Sequence, residues 1–168
     1  MRRACATALL AAAAALALAL PQAGAATAGT AAPTFALDGR TGPVKLADYR
    51  GKYVYLDFWA SWCGPCKHSF PWMDALQKRY GAGLQVLAVN VDTNRADAEQ
   101  FLALVPSGFV IAWDPAGAVA RQYAIKGMPS SVLIDPAGQV VAVHAGFNDA
   151  TPARVDAELA AAMNKDKR

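Results

Sequence analysis

Apolar positions along this chain switch repeatedly between continuous runs and a spacing of three to four, the signature of strands alternating with helices. The run YVYLDFW over 53–59 is aromatic and β-branched and predicts a buried strand that starts just after Gly51. Over 63–80 the positions Phe70, Met73, Leu76 and Tyr80 recur at helical spacing. Pro71 falls inside that helix and is expected to kink it, and Gly81 and Gly83 to stop it. LQVLAVNV over 84–91 predicts a second buried strand. A helix over 95–105 follows, with Thr93 or Asn94 as its cap and Phe101, Leu102 and Val105 as its apolar side. Residues 109–113 read as another strand, and Asp114-Pro115 opens a turn and a short helix to about Tyr123. Strands at 131–134 and 140–145, joined by Asp135-Pro136-Ala137-Gly138, form an antiparallel hairpin. Val155, Leu159 and Met163 mark one face of a closing helix. Before the first run, Phe35-Ala36-Leu37 and Val44-Lys45-Leu46 flank a turn at Asp38-Gly39-Arg40, a short β-hairpin. The succession indicates a three-layer α/β sandwich.

The N-terminus does not fit this alternation. Arg2 and Arg3 precede ALLAAAAALALAL, and Ala23-Gly24-Ala25 fits a small-residue cleavage site. Residues 1–25 therefore read as a secretory signal, and 26–32 as a flexible leader to a domain over 33–168. The apolar run is Ala-rich and falls short of the ~20 residues a spanning helix needs, so an uncleaved anchor is the weaker reading. The formal charge of +3 includes Arg2 and Arg3; without them, 14 basic residues face 13 acidic ones. No basic block points to nucleic acid. Cys5 leaves with the signal, so the exported chain keeps Cys63 and Cys66.

Two cysteines three apart could brace a fold, hold a metal or exchange electrons. A bridge over so short a loop constrains the unfolded chain little. Zinc needs four ligands, and beyond these two cysteines the exported chain offers only His68 and His144 among the usual nitrogen ligands, so no metal is expected. A dithiol catalyst needs one exposed, stabilised thiolate and a second thiol to resolve the mixed disulfide. Cys63, ending a strand and opening a helix, suits the first role, and Cys66, one turn in and more buried, the second. Pro65 is welcome in a first helical turn. Asp57 stands in the middle of an apolar run, where a carboxylate is costly unless paired or used.

Residues 54–67, with WCGPCK at their centre, resemble the active-site strand and helix of thioredoxins, and Gly127-Met128-Pro129-Ser130 resembles the cis-proline loop of that superfamily. The hairpin before the first strand, the extra helix and strand between Asp92 and Pro129, the phrase FPWMDAL and the export signal together resemble a TlpA/ResA-type thiol–disulfide oxidoreductase. The resemblance implies a thioredoxin-like three-layer sandwich with an N-terminal β-hairpin and a central helix–strand insertion. It makes Cys63 the attacking thiolate, Cys66 the resolving thiol, Asp57 the base for Cys66, and Pro129 a cis residue against the dithiol. Trp62, Gly64, Pro65 and Met128 would contact the client, the Met128 backbone pairing with an extended segment. Trp62 and Trp59 would pack beside the dithiol and shield it. His68 would be a surface residue. Two positions depart from the pattern: Ser69 stands where many ResA-like proteins have glutamate, and Ala88 where thioredoxins have a lysine.

What the resemblance implies further is a periplasmic reductant of disulfide-bonded client proteins, apocytochrome c among the possible clients. It would be recharged by a membrane thiol-electron transporter, act as a monomer and use no cofactor beyond the dithiol. A thiol oxidant or isomerase with the same cysteines is the alternative, and a copper carrier using Cys63, Cys66 and His144 a weaker one. The hairpin has a peroxiredoxin-like look, but the P-x-x-x-[ST]-x-x-C site of those enzymes is absent.

Overall fold

The computed structural model describes residues 26–166, so the signal expected at 1–25 lies outside the described residues. The central strand β3 (Tyr53–Trp59) is buried along its whole length, as its unbroken apolar run requires of a strand covered on both faces. It pairs in parallel with β4 (Leu84–Asn90), which pairs in parallel with β5 (Val110–Trp113). On its other side β3 is antiparallel to β6 (Ser130–Ile134), and β6 to β7 (Val140–Ala145). The hairpin β1 (Ala36–Gly39) and β2 (Pro43–Lys45) docks on β5 and completes a seven-stranded sheet in the order β2-β1-β5-β4-β3-β6-β7.

Alternation along β3 divides the core in two. Tyr53, Tyr55 and Trp59 face the layer of α1 (Cys66–Tyr80), α2 (Arg95–Leu104) and α4 (Thr151–Asp166). Val54, Leu56 and Phe58 face a thinner layer made by α3 (Ala118–Gln122), Tyr123, Leu46 and the N-terminal segment. On the thicker side four aromatic rings lock the elements together. Trp59 lies 4.9 Å from both Phe70 and Phe101, and Phe70 lies 5.2 Å from Phe109, centroid to centroid. α1 continues through Pro71 and ends at Gly81, whose φ of 55° suits glycine. Asn94 is the cap of α2, its side chain accepting from the Ala96 amide at 3.1 Å.

Two expectations need correction. The first hairpin does not turn at Asp38-Gly39-Arg40: Gly39 is the last residue of β1, and the turn is made by residues 40–42. Gly39 belongs in the strand because neighbouring backbones close on it; a Cβ there would stand 2.4 Å from the Gly42 carbonyl oxygen. The stretch 26–32, read as a flexible leader, is seated on the sheet. Gly29 N–H donates to Val140 O and Val140 N–H to Thr30 O, both at 2.8 Å, and Ala26 and Ala32 are buried. Small side chains let the backbone lie this close against β7.

Candidate active site

The site forms where β3 runs out. Beyond Trp59 the chain turns through residues 60–65, held by bonds from Cys63 N–H to Ala60 O (3.1 Å) and from Cys66 N–H to Cys63 O (3.2 Å). Pro65 caps α1 with helical φ and ψ. Its missing N–H leaves nothing unpaired at a helix start. The loop is also tied from the side by Asp92, a buried carboxylate just after β4. Asp92 Oδ2 accepts from the Ser61 amide and from Asn90 Nδ2, each at 2.8 Å, and Oδ1 accepts from Ser61 Oγ at 3.0 Å.

Cys63 and Cys66 are joined in a disulfide, with S–S 2.02 Å and Cα–Cα 5.4 Å. Cys63 does not open the helix as expected: it precedes α1 by three residues, and Cys66 is the first helical residue. Nor is Cys63 exposed in this closed pair. It is 3% exposed and Cys66 0%, because both sulfurs belong to the core cluster that holds Trp59 and Phe70. The two tryptophans expected to shield the dithiol divide: Trp59 is wholly buried in the aromatic cluster, whereas Trp62 is 70% exposed. Gly64 and Pro65 are also at the surface. The first amides of α1 donate to carbonyls of the cysteine loop, Cys66 N–H to Cys63 O and Lys67 N–H to Gly64 O among them, and no acidic residue in the first turn opposes the helix dipole there.

The peptide bond between Met128 and Pro129 is cis. Phe58 pairs with Ser130, which brings Pro129 level with Trp59, at the end of the sheet from which the cysteine loop departs. Pro129 O accepts from Gly146 N–H at 2.8 Å, and Ser130 Oγ donates to Gly127 O at 2.7 Å. Met128 is half-buried and packs against both core clusters. A cavity of about 300 Å³ opens beside this loop, bounded by Met128, Pro129, Val143 and Gly146.

Asp57 is central in the sheet, 2% exposed, and alternation places it on the face of Tyr55 and Trp59, toward α1 and the dithiol. Burial pushes its carboxyl well above the ordinary range, and Oδ2 has no hydrogen-bond partner. Its cross-strand neighbours are Ala88 on β4 and Ser131 on β6. The position that carries a lysine in thioredoxins thus lies against Asp57 and supplies no charge. Ser69 is buried and donates from Oγ to Cys66 O at 3.2 Å. His68 is exposed, as expected.

A second polar group on this face was not foreseen. Ser131 Oγ lies 2.7 Å from Tyr55 Oη and 3.2 Å from His144 Nδ1, and His144 Nε2 lies 2.7 Å from Glu158 Oε2 on α4. Burial, followed by the nearby Asp57 carboxylate, raises the Tyr55 hydroxyl far above its ordinary value. The buried serines Ser130 and Ser131, opening a strand that is otherwise apolar, were the available signal. His144, considered from sequence as a copper ligand, is engaged here instead. Among the described residues no group of three or more His, Cys, Asp or Glu side chains is arranged to hold a metal.

A family model for AhpC/TSA proteins matches residues 28–143. The chain belongs to the AhpC/TSA family. Within it, the chain is 35% identical over 120 residues to the thiol–disulfide oxidoreductase ResA of Bacillus subtilis, spanning 70% of this chain and 67% of that protein. A DsbE-type thiol:disulfide interchange protein from Chlorobium tepidum is 52% identical with a TM-score of 0.80, covering 82% of this chain and 99% of that one. An exposed lipoprotein thioredoxin from Streptococcus pneumoniae is 31% identical with a TM-score of 0.64, covering 74% and 97%. This AhpC/TSA member is therefore a thioredoxin-like thiol–disulfide oxidoreductase, and its match takes in both the hairpin β1–β2 and the inserted α2–β5.

Proposed function

We propose that this AhpC/TSA protein is a periplasmic disulfide reductase, with the Cys63–Cys66 pair as its redox group and no further cofactor. The observation that carries the reading is the dithiol placed at the mouth of α1, on the face of β3 that buries Asp57. In the reduced protein, the positive end of the α1 dipole favours the Cys63 thiolate. That thiolate attacks one sulfur of a client disulfide; a Cys63–client bond forms and the other client sulfur leaves. The Asp57 carboxylate then takes the Cys66 proton, Cys66 attacks Cys63 Sγ, and the second client sulfur leaves as thiolate. Two electrons pass to the client and the Cys63–Cys66 disulfide closes.

The client segment contacts the exposed Trp62, Gly64 and Pro65 and the half-buried Met128, and pairs with the Met128 backbone as an added strand. Disulfide-bonded proteins are the client class; apocytochrome c, with its paired haem-attachment cysteines, is one member. A membrane thiol-electron transporter restores the dithiol. The exported setting is supported by the signal-like residues 1–25 and by the likeness to an exposed lipoprotein thioredoxin. No described helix is long and apolar enough to cross a membrane.

The test is the reduction potential of Cys63–Cys66, by equilibration of the chain from residue 26 with a dithiol buffer. A value near that of thioredoxin, about −270 mV, supports a reductant; one near about −120 mV makes the protein a strong oxidant and overturns the proposal.

A further inference from the structure

The register sets Asp57, Ser131 and His144 side by side across β3, β6 and β7, and the Tyr55–Ser131–His144–Glu158 contacts run along this row. Its outer end, Glu158, is 29% exposed at the side chain, whereas His144 is 2% exposed. The row thus connects the interior of the sheet with solvent. His144 contacts Glu158 on α4 and Ser131 on β6, which does not titrate, and Tyr55 and Asp57 on β3 lie beyond Ser131. Arg154 of α4 acts on Tyr55, and Lys126 lines the cavity beyond β7.

This row admits two self-consistent orders. When His144 carries a proton on Nε2 alone, Nε2–H donates to Glu158, Nδ1 accepts from Ser131 Oγ–H, and Ser131 accepts from Tyr55 Oη–H. When both nitrogens are protonated, Nδ1–H donates to Ser131, Ser131 donates to Tyr55 Oη, and Tyr55 keeps its own hydroxyl hydrogen, which no longer has Ser131 as its acceptor. Cross-strand partners hold their Cβ atoms about 4.5–5.5 Å apart. Ser131 is thus the cross-strand neighbour of Asp57, and Tyr55, two residues earlier on the same face of β3, feels the Asp57 charge, while Asp57 Oδ2 itself has no hydrogen-bond partner.

We propose that His144 is a positioning residue for the Cys66 proton transfer: through Ser131 and Tyr55 it determines whether the Asp57 carboxylate is offered a hydrogen bond, and it exchanges its own proton with solvent through Glu158. The inference rests on the reading of Asp57 as the base for Cys66. Only protons move along the row. The proton that Asp57 takes from Cys66 Sγ is the one lost as the Cys63–Cys66 bond forms, and the electrons go to the client.

The experiment reacts the reduced protein with 5,5′-dithiobis(2-nitrobenzoate) and follows release of the second thionitrobenzoate, which reports Cys66 closing on Cys63, from pH 5 to 9. Wild type should show a second inflection besides that of Asp57. His144→Gln should lose it, and Glu158→Gln, which replaces the carboxylate facing His144 Nε2 with a neutral amide, should alter it. Asp57→Asn should lose both. If His144→Gln and Glu158→Gln keep the wild-type profile while Asp57→Asn alters it, the inference falls and the role of Asp57 stands. If Asp57→Asn itself matches wild type, both fall. A change in His144→Gln that persists in the Asp57→Asn background means that His144 acts by another route, and also overturns the inference. Should His144→Gln fail to fold, Glu158→Gln at the exposed end decides.

Discussion

Asp57 is where a single residue does most to shape the whole. A carboxyl with a higher pKa in the folded than in the unfolded chain binds its proton more tightly when native. Its contribution to stability is full below the unfolded pKa and is lost as pH rises through the folded one. Burial raises Asp57 in this way. The oxidised protein should therefore lose about 1.4 kcal/mol of stability per pH unit across that window, and Asp57→Asn should remove the slope. Urea midpoints measured across pH would reveal it, and a wild-type profile as flat as the variant's would mean that the carboxyl titrates normally. Asp57 was legible in the sequence because few roles suit an acid within YVYLDFW. Its companions were not. Ser131 and Tyr55 are 76 positions apart, and only the register of β3 with β6 brings their hydroxyls together. Asp92 was equally hidden, since its bonds to Ser61 depend on β4 lying beside β3.

Among the elements, β3, α1 and α2 are bound through aromatic rings rather than through charges. Phe70 is wholly buried and contacts Trp59, Phe101 and Phe109, so one side chain joins the strand, two helices and the segment leading into β5. Phe70→Ala should cost about 3–5 kcal/mol, read as a lower denaturant midpoint. It should also loosen the cysteine loop, since Trp59 leads into it. A loss below about 1 kcal/mol would show that the cluster collapses around the gap. Periodicity found every one of these elements because each buries a continuous face. It failed at the first hairpin, where Asp38-Gly39-Arg40 looks like a turn in isolation. What decides is the close approach of the Gly42 carbonyl, the Val44 side chain and the Ile111 carbonyl of β5 to Gly39, which the turn residues alone do not reveal.

For the molecule as a whole, the two faces of the sheet are covered unequally. Three helices pack on the dithiol side, while one short helix and the N-terminal segment serve the other. Fold class followed from the order of elements, but the place of β5 between β1 and β4, and the seat of residues 26–32 on β7, required three dimensions. Composition alone made 26–32 look like a leader; hydrogen bonds to Val140 make it part of the sheet edge. A chain beginning at residue 33 should lose protection of the Val140 amide in hydrogen exchange while β3 and β4 stay protected. Unchanged exchange at Val140 would show that β7 does not need the segment.

The four tryptophans differ sharply in their surroundings: Trp59 and Trp113 are buried, Trp72 is half-buried, and Trp62, next to Cys63 in the chain, stands in water. The long-wavelength edge of the emission spectrum therefore belongs to Trp62, at the rim of the redox pair. Anything that settles over the cysteines must dim or blue-shift that edge, and an aqueous quencher such as iodide will reach it first. The protein carries its own optical reporter of docking, read without a label.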